Sequence, residues 1–433
     1  VKVFTTLERQ TRKNLLLLFS AGLLFWLSIT SLLPVLPAYI ADVSPDNRAV
    51  RVAIAQWDFS VLLSVEAQVG LIMGCFAIGL LLSRGPLGAL ADRRGRKIAV
   101  LIGTAVAAIA PWGYPLATET HLLMALRTFH GVSIAALTTG YSALVVDLSP
   151  AKRRGEVVGY MSLTIPVGMA LGPALGGYVE ASLGYLPLFI ISGTLGILSF
   201  ALASQVREAE EFKALLAQGE RNAPPKSDLW HLLVSPRLRV PAIVMLLSGA
   251  VFGSIVNFIP LYLRESEVNV TAGLFYLTAA IASFAARLFA GRSSDRYGRG
   301  IFITVSLICY CLAMYILSSA RDLLAFLVAA VLEGFAGGVL IPTAIALMSD
   351  RSVPRERGGV YAICIGSFDL GIAIAGSIFG FLIQPLGFRT LYLLSSGLAL
   401  TAFFVFTTQS SKSFRHSLRF AIGRERDVYA IEQ

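Results

Sequence analysis

Four ionisable residues stand out deep inside apolar runs long enough to cross a bilayer: Arg127 and His130 in one run, Glu333 and Asp369 in two others. A charge within hydrocarbon is expensive, so such residues mark ion or substrate pathways. Asp369 stands about nine residues into its run, roughly 13 Å along a helix that rises about 1.5 Å per residue. Burial disfavours the charged form of a carboxyl group, which suits a residue that must take up and release a proton. Glu333 is similarly deep, and an unperturbed histidine titrates in the useful range. Asp369, Glu333, His130 and Arg127 are therefore the candidates for proton coupling. Each also has a plainer reading. Asp369 can pack as a hydrogen-bonded acid near Ser367, and Glu333 can stay protonated and bond a neighbouring helix. His130 can be a hydrogen-bonded core residue, and Arg127, nearer the outer face, can snorkel. Arg287 and Glu66 lie near the ends of their runs and read as interfacial.

The elements that must position these groups are helices. The chain has 433 residues, 56% of them hydrophobic and 14% charged. Apolar blocks of transmembrane length recur near 15–40, 62–83, 98–117, 122–146, 157–180, 187–205, 240–263, 271–290, 301–319, 323–348, 360–384 and 389–408. The first is too long for a cleavable signal peptide, and Pro34 and Pro37 follow where small residues would be expected. With both termini inside, 29 of the 36 basic residues fall on the cytoplasmic side and five outside, Arg127 and Arg287 remaining within helices. The positive-inside rule thus predicts a multi-pass protein of the inner (plasma) membrane with both termini cytoplasmic. It also assigns the net charge of +10 to topology and lipid headgroups rather than to nucleic acid. Cys75, Cys309, Cys311 and Cys364 all lie in spans and read as small apolar fillers, with no disulfide framework, metal site or cofactor implied.

The spans form two copies of one unit. A step of 203 carries Asp92 to Asp295, Gly95 to Gly298, Gly131 to Gly334, Asp147 to Asp350, Arg154 to Arg357, Gly168 to Gly371 and Gly177 to Gly380. The first helices match at another offset, Pro37-Ala38-Tyr39 against Pro260-Leu261-Tyr262, so the extra residues fall in the first external loop, about 42–61. The predicted fold is all-α and integral to the membrane, twelve helices in two pseudo-symmetric six-helix bundles. Residues 1–205 form the first half, 206–239 a charged cytoplasmic linker with Pro224 and Pro225, and 240–408 the second half. Residues 409–433 form a basic tail, surface-lying or disordered. Parallel six-helix repeats with a midplane substrate site are a transporter plan.

Between the second and third spans stands GALADRRGRK (Gly88–Lys97), with GRSSDRYGRG (Gly291–Gly300) as its copy. Gly88 lets a neighbouring helix approach, and Gly95 permits a tight reversal. Asp92 can accept hydrogen bonds at a helix N-terminus, and Asp147 is a plausible partner for Arg93 or Arg96. The first loop resembles the signature loop of the major facilitator superfamily, G-x-L-a-D-r-x-G-r-k, at every specified position. The resemblance covers the whole chain. It implies that Gly88, Asp92, Arg93, Gly95, Arg96 and Asp147, with Asp295, Arg296 and Gly298, form cytoplasmic gate elements that latch the halves when the gate is shut. The alternative is that the bases only enforce topology.

In the fifth span, Gly159-x8-Gly168-x3-Gly172-Pro173-x2-Gly176-Gly177 resembles the signature of the family's antiporters, although Gly168, Gly172 and Gly176 also suit plain close packing. The second half has Ala375-Gly376 where the first has Gly172-Pro173. In the fourth span, Arg127-x2-His130-Gly131-x3-Ala135 resembles the family's R-x-x-q-G-x-g-a-A pattern, with histidine for glutamine and Ser133 for glycine. Several drug exporters of the family bear an acid in the first helix; this chain offers Ser28, Thr30 and Ser31 there. Any coupling acid must then come from the second half.

Phe25, Trp26, Asn257, Phe258 and Tyr262, from the first and seventh spans, are candidates for the substrate cavity, apolar and aromatic with few polar groups. They are alternatively lipid-facing belt residues. The expected function is secondary transport, a proton-coupled antiporter exporting small amphipathic or apolar compounds by alternating access, with the monomer as working unit. Its partners are the small-molecule substrate, protons and membrane lipid. A symporter or uniporter for sugars or organic acids is the alternative, and a non-transporting sensor a more distant one. Enzyme motifs are missing: the four histidines form no H-E-x-x-H, and there is no nucleophile elbow or phosphate loop.

Overall fold

The structure, a computed structural model, describes residues 8–44, 48–54, 57–150, 153–208, 229–266, 268–353 and 357–431. The linker prolines fall outside them, as do the side chains of Asp92 and Asp295, whose backbones are helical. In chain order the elements begin with α1 (Arg9–Ser31), α2 (Leu36–Val43), β1 (Arg48–Ile54) and β2 (Trp57–Leu63). Then come α3 (Val65–Arg94), α4 (Arg96–Gly113), α5 (Thr120–Leu148), α6 (Arg154–Met161), α7 (Thr164–Leu183) and α8 (Tyr185–Ser204). After the linker follow α9 (Leu229–Val234), α10 (Arg239–Glu265), α11 (Ala272–Tyr297), α12 (Arg299–Ser319), α13 (Leu323–Asp350), α14 (Arg357–Gln409) and α15 (Phe414–Ala421).

Among the described residues, eleven helical stretches are long and apolar enough to cross a membrane. The last, α14, is two helices meeting at Gly387, whose φ of 76° leaves the helical region. Two predicted spans are interrupted. The first breaks after Ser31 into a turn and restarts at Leu36, because Pro34 has no N–H to offer the carbonyl of Thr30, which instead accepts from Leu33. The fifth breaks at Ser162 and Leu163, where Pro166 likewise withholds an N–H from the carbonyl of Ser162. The insertion predicted as a plain external loop folds as an antiparallel hairpin, Arg48 opposite Leu63 through Ile54 opposite Trp57. Its runs of Val, Ile and Phe favour a pleated strand.

Contacts divide the chain into two compact units, Val1–Ser44 with Cys75–Ala223, and Pro45–Gly74 with Pro224–Gln433. The hairpin and the first turns of α3 thus belong with the second unit. In the first unit α1 packs on α7 and α8, and α4 on α5 and α8; in the second α10 packs on α14, and α12 on α13 and α14. The repeat extends to individual contacts. A Cβ at Gly131 would overlap the carbonyl oxygen of Phe76, and one at Gly334 would overlap that of Ala279. Both pairs are related by the 203-residue step, and each brings two helix backbones together where no side chain fits.

The tail is not disordered. Arg351, fully buried, donates from Nε and Nη2 to the Asp427 carboxylate at 2.6 and 3.0 Å. It also donates to the carbonyls of Arg237 (2.9 Å) and Ser410 (3.0 Å) and lies against the rings of Phe420 and Tyr429. A buried cation needs this many partners. The amide of Ile431 adds a bond to the carbonyl of Asp350 at 2.9 Å. Residues 410–431 are thereby strapped across the ends of α12, α13 and α14.

Candidate functional site

In the first unit, the buried ionisable groups of α5 meet an aromatic nest. His130 Nδ1 lies 2.9 Å from the hydroxyl of Tyr114, and Arg127 donates to the same hydroxyl at 3.5 Å. The guanidinium stands 4.4 Å from the centre of the Phe76 ring, a cation–π contact. Arg127 is only 7% exposed, so it does not snorkel. Its Nε and the Nε2 of His130 are buried without a hydrogen-bond partner. Tyr114, in the short turn after α4, was not legible as a partner in advance.

The second unit sets Glu333 at the repeat position of His130. Glu333 is buried on α13. The Tyr310 hydroxyl is buried with no hydrogen-bond partner. Gly337, one turn on, opens a notch between these groups: a Cβ there would stand 2.9 Å from the Tyr310 oxygen and 3.9 Å from Glu333 Oε1. Asp369 is buried on α14. The two acids thus lie on different helices of one unit, whereas Arg127 and His130 belong to the other.

The substrate-cavity candidates are all buried, which excludes the lipid-belt reading. Tyr262 is held structurally. Its hydroxyl donates to the carbonyl of Leu317 at 2.9 Å, and its ring packs on Phe388 and Tyr392. Tyr39 repeats the arrangement in the first unit, on Tyr114 O, Tyr185 and Phe189. Phe25 and Trp26 join the first unit's core, and Phe258 is fully enclosed. Asn257 differs: its Nδ2 is buried without a hydrogen-bond partner, 2.9 Å from where a Cβ on Gly376 would be.

At the signature loops, Gly95 and Gly298 have φ of 110° and 93°, a region only glycine enters freely, and each starts the next helix. Arg96 pairs with Asp147 at 3.0 Å and Arg299 with Asp350 at 2.5 Å, again one repeat step apart. Arg93 and Arg296 are exposed. The expected role of Gly88 needs correction, since a Cβ there would find its nearest atom 4.0 Å away on Thr139. Sequence reasoning missed Glu208, which accepts a hydrogen bond from the amide of Lys97 at 2.8 Å in the first turn of α4. The glycine motif of α7 packs on α1: Gly168 against Trp26, Gly172 against Thr30, Gly176 against Ser31, with Thr30 donating to the carbonyl of Gly168 at 2.8 Å. Pro173 is buried beside them and Gly177 is half-buried, while Gly159 faces open space. In the second unit the small residue changes sides: a Cβ on Gly253 of α10 would stand 2.9 Å from the Cβ of Ala375 of α14.

Residues 18–314 and 269–419 match the family model of the Major Facilitator Superfamily. The chain belongs to that family. This major facilitator is 24% identical over 336 residues to an uncharacterized MFS-type transporter, MJ1560, of Methanocaldococcus jannaschii, covering 77% of this chain and 86% of that one. It is 27% identical over 191 residues to the quinolone resistance protein NorA of Staphylococcus aureus, 44% of each chain. Among solved structures, the nucleoside transporter NupG superposes with a TM-score of 0.69 at 14% identity, covering 90% of this chain and 97% of that one. The human organic anion transporter MFSD10 gives 0.62 at 18%, covering 92% and 100%. These likenesses agree on the fold of a multi-pass membrane protein of a transporter family.

Proposed function

We propose that this major facilitator is a proton-coupled antiporter that exports small amphipathic or apolar compounds across the inner membrane by alternating access. In this reading twelve helices cross the membrane, both termini are cytoplasmic, and the two sequence halves 1–205 and 240–408 carry the repeat. The observation that carries the reading is the pair of buried carboxyl groups, Glu333 and Asp369, in the second unit. A carboxyl group deep in a membrane protein is expensive unless it serves an ion path. The antiporter-type glycines of α7 and the likeness to a quinolone resistance protein over 44% of the chain support export.

Glu333, beside the unpartnered Tyr310 hydroxyl, and Asp369 are the proton carriers in this account. Arg127 and His130 hold Tyr114 in place within their own half. Asn257 offers its unpartnered amide to substrate. Asp92, Arg93, Arg96 and Asp147, with Asp295, Arg296 and Asp350, form the cytoplasmic gate. The direction of coupling is tested in inside-out vesicles with an imposed pH gradient. An antiporter accumulates a hydrophobic cationic or neutral drug when the interior is acid. Accumulation only when the exterior is acid means symport and overturns the reading.

A further inference from the structure

We propose that α15 is a membrane-surface helix that seats the carboxyl-terminal strap on anionic lipid of its own leaflet. Its three faces have separate tasks. Ser417, Phe420 and Ala421 are buried against the bundle, where Thr304 donates to the carbonyl of Ala421 at 2.9 Å and Gly300 leaves no room beyond the carbonyl of Phe420. Phe414, Leu418 and Ile422, each four residues from the last, are 64%, 43% and 42% exposed. At about 100° per residue they form one apolar ridge roughly a quarter-turn from the buried face. Arg415 and Arg419, both exposed, line the next face round; Arg419 is paired with Glu425 at 2.8 Å, so Arg415 carries the free positive charge of that face. A helix with one apolar and one basic free face lies in the headgroup plane, its ridge in the acyl boundary.

Position on the chain makes the lipid surface the occupant. The last span ends at Gln409 and Ser413 already caps α15, so the connecting residues reach at most about 14 Å. The strap is also fixed at both ends, by Ser410 and by Asp427 on Arg351, so α15 cannot leave the interface.

Charge makes the lipid anionic. A cavity of about 570 Å³ opens between the second signature loop and the strap, lined by Arg296, Arg424 and Arg426 among others. The acids that also line it are committed: Asp350 to Arg299, Glu425 to Arg419 and His416, Asp427 to Arg351. Those three arginines therefore face the cavity beside carboxylates that other cations already neutralise. A phosphate headgroup supplies the missing charge.

The test uses the full-length protein with Cys75, Cys309, Cys311 and Cys364 replaced by alanine and a nitroxide attached through Leu418→Cys. It is reconstituted in phosphatidylcholine alone and in phosphatidylcholine mixed with phosphatidylglycerol. The expected result is collision with oxygen but shielding from a water-soluble nickel chelate, the shielding increasing several-fold with phosphatidylglycerol. Combining Arg415→Glu with Arg424→Glu should remove that increase. A label open to nickel in both vesicles overturns the proposal, as does equal shielding in both. Dipolar broadening between labels would assign the ridge to a second copy of the chain instead. The lipid comparison needs no charge variant, so a poorly folding variant leaves the test intact.

Discussion

Tyr39 donates a hydrogen bond to the carbonyl of Tyr114 at 2.8 Å, and Tyr262 makes the same bond to Leu317 at 2.9 Å. Each carbonyl also accepts a local amide bond, from Ala117 and from Ala320, so neither is orphaned when the tyrosine is lost. Tyr39→Phe and Tyr262→Phe should each destabilise by about 1 kcal/mol, read as equal falls in melting temperature in detergent, with substrate preference unchanged. If only Tyr262→Phe alters the range of compounds transported, Tyr262 belongs to the substrate site after all.

Gly131 and Gly334 touch backbone carbonyls, which cannot swing aside as a side chain can. Gly131→Ala and Gly334→Ala should each lower the yield of monodisperse protein sharply, a loss on the order of 1–3 kcal/mol or more. Gly159→Ala, facing open space, should leave yield unchanged, and an equally damaging Gly159→Ala would contradict the packing account.

Removing one member of a buried ion pair leaves the other uncompensated. Asp427→Asn should therefore destabilise the second unit by about 3–5 kcal/mol and expose residues 410–431 to trypsin. Arg351→Met should be milder, because it removes the buried charge itself. Equal protease resistance in Asp427→Asn and wild type would show that the strap is held by other contacts.

Helices, the repeat and the family were legible because they rest on local pattern: apolar runs, glycine spacing and one constant offset. That offset also relates Arg96 to Arg299 and Asp147 to Asp350, so the Arg299–Asp350 pair was within reach of the same reading although it was not drawn. What was hidden depends on distance along the chain. Arg351 reads as one more cytoplasmic base until its partner appears 76 residues later. Tyr114 lies in a turn with no motif to announce that it would meet His130. Tyr262 looked like a cavity aromatic although its alignment with Tyr39 already hinted at a structural role. The hairpin is hidden because 42–61 reads as an insertion in the repeat, and its alternating β-branched residues are too few to stand out from the apolar spans around them.

Glu208 enters the first signature loop from the start of the linker. Its carboxylate takes the Lys97 amide at 2.8 Å, at the positive end of α4. Glu208→Gln should lower stability by roughly 0.5–1 kcal/mol, in line with a partly exposed terminal contact. Asp92→Asn should slow transport while leaving membrane insertion intact. Radiolabelled drug uptake beside a melting curve separates the two, and normal uptake by Asp92→Asn would remove that residue from the gate.

The central claim, that buried carboxyl groups of the second unit carry the coupled proton, is tested most directly by proton release. Inside-out vesicles acidified within and loaded with a pH-reporting dye receive a panel of hydrophobic cations and neutral drugs. Wild type should release protons on addition of particular compounds. Asp369→Asn or Glu333→Gln should abolish that release while the protein still binds the same compounds. Release at the wild-type rate in both variants, or no compound-dependent release from wild type, would contradict the account.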